Sequence, residues 1–80
     1  MKLPRDLAGR KLAQALCQHW DYRIVHQAGS HIILQTGIPG HQRIPVPDHH
    51  PLRIGTLNAI LRLVAERKQV SREEILATIR

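Results

Sequence analysis

Hydrophobic positions in this chain follow helical spacing at both ends and strand spacing in the middle. From Gly9 onward, apolar residues recur every three or four positions, which predicts a first helix over residues 9–19. Its inward positions are Leu12, Ala15, Leu16 and His19. Residues 1–8 are expected to be extended, because Pro4 disfavours helix at the residue before it. Ala8 is a poor N-cap, so we expect the start of this helix to fray.

Two runs typical of β-strands follow, over residues 22–28 and 31–36. A short turn separates them, and Gly29 tolerates the positive φ that tight hairpin turns need. A third strand is predicted over residues 42–46. Pro45 cannot donate to a neighbouring strand, so we expect this strand at an edge with that position facing outward. Connections this short join neighbouring strands as hairpins, which predicts a three-stranded antiparallel sheet.

The C-terminal third is helical again. Residues 47–54 form a basic connector that contains histidines, and a second helix is predicted over residues 55–67. Its apolar positions are Leu57, Ile60, Leu61, Val64 and Ala65. Ser71 and Glu74 have the spacing of a capping box, which predicts a short third helix. The order α-β-β-β-α-α predicts an α+β fold, a single domain over residues 1–80 with both main helices on one face of the sheet.

Charge narrows the range of partners. Twelve Lys and Arg residues against six Asp and Glu give a formal net charge of +6 and a sequence pI near 10.8. An excess of this size on 80 residues favours binding to a polyanion or to an acidic protein. The chain has one Trp, one Tyr and no Phe, which argues against RNA binding by stacking bases on an aromatic platform.

Cysteine usage and hydropathy indicate the compartment. The single Cys17 cannot form an internal disulfide, which suits a reducing cytosol, and we expect it to be a small, partly buried side chain. The N-terminal residues contain no apolar run typical of a signal peptide, and no segment approaches the length of a membrane span. The sequence therefore predicts a soluble, cytoplasmic protein.

His31 is the first residue of the predicted second strand, where a hairpin backbone would hold it rigidly. Strand alternation places it on one face with Ile33 and Gln35, opposite the apolar pair Ile32 and Leu34. The second pair forms the better core face, so His31 is expected to be exposed. A histidine there suits a general acid or base, and the simpler interpretation is a surface or structural histidine.

Six histidines raise the question of a metal site. His49 and His50 are adjacent, so their rings point apart in an extended chain. The sequence contains neither two histidines four residues apart in an H-x-x-x-H pattern nor a Cys/His pairing typical of zinc sites. We therefore expect no metal and no other cofactor.

Three motifs in this order and spacing resemble the HicA toxins, which are small bacterial mRNA interferases with a fold similar to double-stranded RNA-binding domains. The motifs are Gly29-Ser30-His31, then Val46-Pro47-Asp48-His49, then Gly55-Thr56-Leu57-Asn58-Ala59-Ile60-Leu61. The resemblance extends from about Gly9 to Leu76. It departs from the family pattern at three positions, with Ala8 in place of a common serine cap, Asp21 in place of a glycine, and His26 in place of a frequent arginine.

The resemblance implies that His31 is the catalytic histidine of a metal-independent endoribonuclease acting on mRNA. It also implies a cognate HicB-type antitoxin protein as partner in a type II toxin–antitoxin system. Such cleavage needs a base for the 2′-hydroxyl, an acid for the leaving 5′-oxygen and positive charge near the phosphorane. One histidine cannot serve as base and acid at once, so a second group is expected, for which His26 and His49 are the candidates.

Several residues are candidates for RNA contact, each with a solvated surface position as the alternative. These candidates are Ser30, Arg23, His26, Arg43, His49 and Lys11, and Arg53 is a further basic residue in the connector. Two other functions stay open at this point. One is a non-catalytic RNA-binding module of the same fold, in which His31 only contacts the backbone. The other is an interaction domain whose positive charge serves an acidic partner protein.

Overall fold

The computed structural model describes residues 2–79 and has the predicted order of elements. These are α1 (Gly9–His19), β1 (Arg23–Ala28), β2 (His31–Thr36), β3 (Gln42–Pro47), α2 (Ile54–Lys68) and α3 (Arg72–Ala77). The predicted α+β class is confirmed. Boundaries shift by one residue: β1 begins after Tyr22, β3 continues through Pro47, and α2 extends by one residue at each end. None of the helices described is long and apolar enough to cross a membrane.

The sheet is antiparallel with β2 in the centre, in the order β1-β2-β3. Gly29 has φ of 58° in the two-residue turn between Ala28 and His31, the conformation for which glycine was expected there. Pro45 lies on β3, an outer strand, as its missing N–H predicted. The central position of β2 fixes His31 between two neighbours, Ala28 on β1 and Pro47 on β3.

One face of the sheet is covered by the helices and the other is open. Side chains of β2 and β3 that point toward the helices are buried, apart from the partly exposed Gln42, whereas those between them are wholly or partly exposed. The fully buried side chains are Leu12, Leu16, Ile32, Leu34, Ile44, Val46, Leu57, Leu61, Val64, Ile75 and Leu76. The predicted core pair on β2 is therefore confirmed, and His31 lies on the open face. At about 25 cal/mol per Å² of buried apolar surface, this shared core is the main source of stability.

A β-bulge interrupts β1 at Val25. Ile24 pairs with Leu34 and His26 pairs with Ile33, so Val25 is an extra residue with no partner on β2. Strand alternation changes phase at such an insertion. Arg23 consequently pairs with Gln35 on the open face, and Ile24 turns toward the helix side.

Tertiary contacts hold the start of α1 without a side-chain cap. Ala8 makes no capping hydrogen bond, as predicted, but Gly9 is buried and its N–H donates to the carbonyl of His49 at 2.8 Å. A Cβ at Gly9 would lie 1.8 Å from the carbonyl oxygen of Pro47. The backbones of α1 and of the segment after β3 are thus in direct contact, and the expectation of a frayed start is not met.

The other helix predictions have clear outcomes. α3 begins with the predicted capping box, in which the Ser71 hydroxyl accepts from the Glu74 N–H at 3.1 Å and the Glu74 carboxylate accepts from the Ser71 N–H at 2.8 Å. Cys17 is partly buried, as expected. Asp21, where a glycine was noted as the family's usual residue, adopts the left-handed conformation with φ of 60°.

A polar cluster attaches the β2–β3 loop to the end of α2. The Lys68 ammonium lies 4.8 Å from the centre of the Tyr22 ring and donates to the Thr36 hydroxyl at 2.9 Å and the Ile38 carbonyl at 2.5 Å. Tyr22 is buried and donates its hydroxyl hydrogen bond to the Gln42 side chain. Burial raises the pKa of the Tyr22 phenol to about 12, with the Arg67 charge acting in the opposite direction.

Candidate functional site

His31 lies at the end of the central strand, exposed on the open face of the sheet. Its backbone pairs with Ala28 on one side and with Pro47 on the other. The side chain can therefore reach solvent while its Cα is held by strands on both sides. A rigid support with an accessible ring is the arrangement that a proton-transferring group needs.

The register arranges the open face in three rows across the strands. The rows are Ala28–His31–Pro47, His26–Ile33–Pro45 and Arg23–Gln35–Arg43. The first and third rows are four residues apart on β2, which corresponds to roughly 13 Å along the strand. The structure thus places His31 and two arginines on the same surface, with His26 between them.

Gln35 orients one of the two arginines. Its side-chain oxygen accepts from Nε of Arg43 at 3.2 Å and from an Nη at 2.8 Å. Both arginines are exposed. The hydrogen bonds fix the guanidinium of Arg43 above the open face, and its remaining N–H groups stay available to an anion.

The two candidates for a second proton-transfer group have different positions. His26 pairs with Ile33, two residues from His31 on β2, so it is a diagonal neighbour of His31 on the same face. Diagonal neighbours in a sheet are roughly 7–8 Å apart, within reach of long side chains. His49 lies in the connector beyond β3, exposed, with its carbonyl bound to Gly9. The sheet register therefore places His26 beside His31 on the open face, whereas His49 lies outside the paired strands.

Asp48, for which no role was predicted from the sequence, anchors the turn before His31. Its backbone N–H donates to the Ser30 carbonyl at 2.6 Å. Its carboxylate accepts from the Arg10 guanidinium at 2.6 Å and from the Gln27 amide at 3.4 Å. Asp48 thus connects the hairpin to the first turn of α1. Asp48 lies within the Val46-Pro47-Asp48-His49 motif, but its partners could not be predicted from the sequence alone.

The remaining predicted RNA-contacting residues are not all on the open face. Ser30 is exposed in the turn beside His31. Arg53 is exposed and immediately precedes α2. Lys11 lies on the helix side, where it lines a cavity of about 510 Å³ with His50 and Ile79 among its neighbours. The structure therefore does not bring Lys11 to the face that carries His31.

The six histidines do not gather into a ligand set. Within residues 2–79, no group of three or more His, Cys, Asp or Glu side chains is placed to hold a metal ion. The chemistry available on the open face is that of imidazole and guanidinium groups.

Comparison with models of known protein families identifies the family of this chain. The family model described as the HicA toxin of bacterial toxin–antitoxin systems matches residues 9–64. The chain belongs to the HicA toxin family. The resemblance inferred from the three motifs is thereby confirmed, and this HicA family member is the toxin of a toxin–antitoxin system. No curated protein and no solved structure matches the chain.

The matched segment has a clear structural extent. It begins at the first residue of α1 and ends within α2, so it contains the whole sheet, Asp48 and the His31 turn. Family membership also implies a partner in the toxin–antitoxin system.

Proposed function

We propose that this HicA family member is a single-domain, metal-independent endoribonuclease that cleaves mRNA in the cytoplasm, with His31 as general acid/base. The observation that carries the proposal is the position of His31. It is exposed at the end of the central strand, on the same open face as Arg23 and Arg43. A family of ribonuclease toxins supplies the context in which this arrangement is interpreted.

The proposed reaction is transfer of the phosphodiester within the RNA backbone. The His31 imidazole accepts the proton of a 2′-hydroxyl, whose oxygen attacks the adjacent phosphorus while the bond to the 5′-oxygen breaks. The leaving 5′-oxygen takes a proton from a second group, for which His26 is the best-placed candidate. The products are a 2′,3′-cyclic phosphate and a 5′-hydroxyl. Histidine suits such steps because both its protonation states are populated near neutral pH.

The arginines contribute charge rather than proton transfer. Arg43 has a guanidinium oriented by Gln35, and Arg23 lies in the same row. They are roughly 13 Å along the sheet from His31, so they bind neighbouring phosphates of the strand rather than the phosphate that reacts. Ser30 borders His31 in the turn and is the nearest candidate for a contact to the reacting nucleotide.

The decisive experiment replaces His31 by alanine and measures RNA cleavage, RNA binding and folding together. Cleavage should fall by about 10²-fold or more, the range for loss of a general acid/base. Binding and the thermal midpoint should change little, because an exposed strand-end side chain contributes little to the core. The matched control is His41→Ala, another exposed histidine, which lies in the loop before β3 and should leave cleavage unchanged.

The result separates the alternatives left by the sequence. Full cleavage by folded His31→Ala protein would refute the catalytic role. A variant that loses RNA affinity, when the wild-type protein also shows no cleavage, would instead indicate a non-catalytic RNA-binding module.

We further propose that a HicB-type antitoxin inhibits the enzyme by covering His31 and the neighbouring arginines. The open face carries Arg23, Arg43, His26 and His31, so an acidic protein surface can replace the RNA phosphates there. Co-expression of the protein encoded beside this chain should restore growth, and the complex should protect His31 from diethyl pyrocarbonate. A tight complex in which His31 stays fully reactive and RNA is still cut would show that occlusion is wrong.

A further inference from the structure

The outer edge of β1 has no neighbouring strand among the described residues, and all six of its residues are exposed. The other edge of the sheet differs. β3 carries Pro45 and Pro47, which have no N–H to offer to an added strand. Of the two edges, β1 is therefore the one able to pair with a further strand.

The prolines also show which groups of β1 point outward. Because Pro45 and Pro47 cannot donate, their pairs with Ile33 and His31 are non-hydrogen-bonded pairs of the antiparallel ladder. The hydrogen bond from the Asp48 N–H to the Ser30 carbonyl, at 2.6 Å, follows the same alternation of bonded and non-bonded pairs. The N–H and C=O groups of His31 and Ile33 accordingly face β1. The alternate position, Gln27 opposite Ile32, then directs its own N–H and C=O groups away from the sheet.

The same alternation applies beyond the bulge. Ile24 lies opposite Leu34, which follows Ile33 on β2 and therefore directs its backbone groups toward β3. The backbone groups of Ile24 accordingly face outward as well. The edge thus offers the N–H and C=O groups of Gln27 and the C=O group of Ile24, on either side of Val25, because the Ile24 N–H donates to the Cys17 thiol of α1. A strand is able to use both only if it accommodates the local bend at the bulge.

The side chains of this edge are apolar at Ile24 and Val25 and basic on the open face, and Gln27 on the helix side donates to the Asp48 carboxylate. Ile24 is 48% exposed and Val25 is 38% exposed. Ile24 also lines a groove of about 420 Å³ against α1, together with Gln14, Cys17 and Gln18. On the open face, the strand carries Arg23 and His26. Residues 22–28 contain no acidic side chain.

We propose that the β1 edge binds an extended segment of an acidic partner protein by strand addition. Side chains of an added strand alternate between the two faces, so the segment would place acidic residues beside Arg23 and His26 and apolar residues beside Ile24. A second copy of the chain is a poor occupant, because each copy carries a formal charge of +6. This inference goes beyond RNA cleavage, does not depend on His31, and assigns a surface to the partner that family membership implies.

The test uses the ¹⁵N-labelled protein and a synthetic peptide that alternates glutamate and valine. Amide shifts should concentrate at residues 23–28, and hydrogen exchange should slow at the amide of Gln27. A peptide that alternates lysine and valine should not produce these changes. The Ile24→Glu variant should bind the acidic peptide about tenfold more weakly, because it loses an apolar contact and adds a like charge. Leu63→Glu is the matched control: Leu63 is 44% exposed on α2 and its replacement should leave binding unchanged.

Three other outcomes overturn the proposal. Shifts centred on His31 and Arg43, with unchanged exchange at Gln27, would show that the peptide acts only as a polyanion on the open face. Protection of Gln27 that grows with protein concentration in the absence of peptide would identify a second copy as the occupant. No shift at residues 23–28 at saturating peptide would show that the edge does not accept a strand. Slowed exchange at Gln27 in protein that cleaves no RNA would support the edge while refuting the proposed enzyme.

Discussion

Replacing Gly9 by alanine tests how α1 is held against the sheet. Intrinsic helix propensity favours alanine over glycine by up to about 1 kcal/mol. Gly9 is the first residue of α1, so propensity alone predicts that the substitution stabilises the protein. The structure predicts the opposite sign.

The reason is the contact with the strand end. The new Cβ would lie 1.8 Å from the Pro47 oxygen and 2.9 Å from its carbonyl carbon, and both atoms belong to the backbone. The helix has to move away by more than an ångström, which disrupts the 2.8 Å hydrogen bond from Gly9 to His49. Overpacking costs about 1–3 kcal/mol and a lost hydrogen bond about 0.5–1.5 kcal/mol. After subtracting the propensity gain, we expect a net destabilisation of about 2 kcal/mol.

Urea denaturation followed by circular dichroism measures this change. For a small protein with a slope near 1 kcal/mol per molar urea, the midpoint should fall by roughly 2 M. The matched control is Gly55→Ala in the first turn of α2, where an added Cβ meets nothing within 4 Å. That variant should be as stable as the wild type or slightly more so. If Gly9→Ala also matches or exceeds wild-type stability, the close packing of α1 on Pro47 is not what holds the helix.

Three further predictions concern ionisation, salt and metals. The single Tyr22 should form tyrosinate only near pH 12 in the folded state, so the free energy of unfolding should fall as pH rises from about 10 towards 12. A spectrophotometric titration of the folded protein with a midpoint near pH 10 would contradict the burial of the phenol. RNA affinity should drop by roughly 0.7 log units per tenfold increase in salt for each single-strand phosphate neutralised, and a salt-insensitive complex would point to stacking or pocket contacts instead. Cleavage should persist in excess chelator, whereas loss of activity that zinc or magnesium restores would show that histidines bind a catalytic metal.

Much of the fold could be predicted because local patterns and tertiary structure agree. The helix stripes, the Gly29 turn and the Ser71 capping box each depend on residues close in sequence, and each appears as expected apart from His19, which was predicted to face inward and is exposed at the end of α1. The exposure of His31 followed from the apolar pair Ile32 and Leu34 on the opposite face. Period-two alternation is enough to determine such a face when one side must be buried.

The contacts that organise the site were harder to predict because they connect distant segments. Asp48 meets Arg10, which is 38 residues away, and nothing in local spacing specifies that pair. Lys11 was grouped with the RNA contacts by charge, but helix packing places it on the other side of the sheet. Gly9 is a poor helix former at the start of a helix, which is only a weak sign of close packing. The reason for a glycine there is the backbone of Pro47, which lies far away in sequence and close to Gly9 only in the fold.

Because of the bulge at Val25, side-chain alternation along the six residues of β1 has opposite phases before and after the bulge. Between the bulge and the turn, counting residues back from Ala28 in steps of two identifies the side chains on the open face. Continued past the bulge, the same count assigns Ile24 to the open face, although it lies on the helix side. In a relative that lacks this inserted residue, side-chain alternation would continue unbroken along the strand. In an ungapped alignment, the residue in the column of Arg23 would then point toward the helices. Comparing arginines column by column across such relatives would then equate a surface residue with an inward one. Insertions in this strand should therefore be aligned by sheet partner, with Arg23 matched to whatever residue lies opposite Gln35.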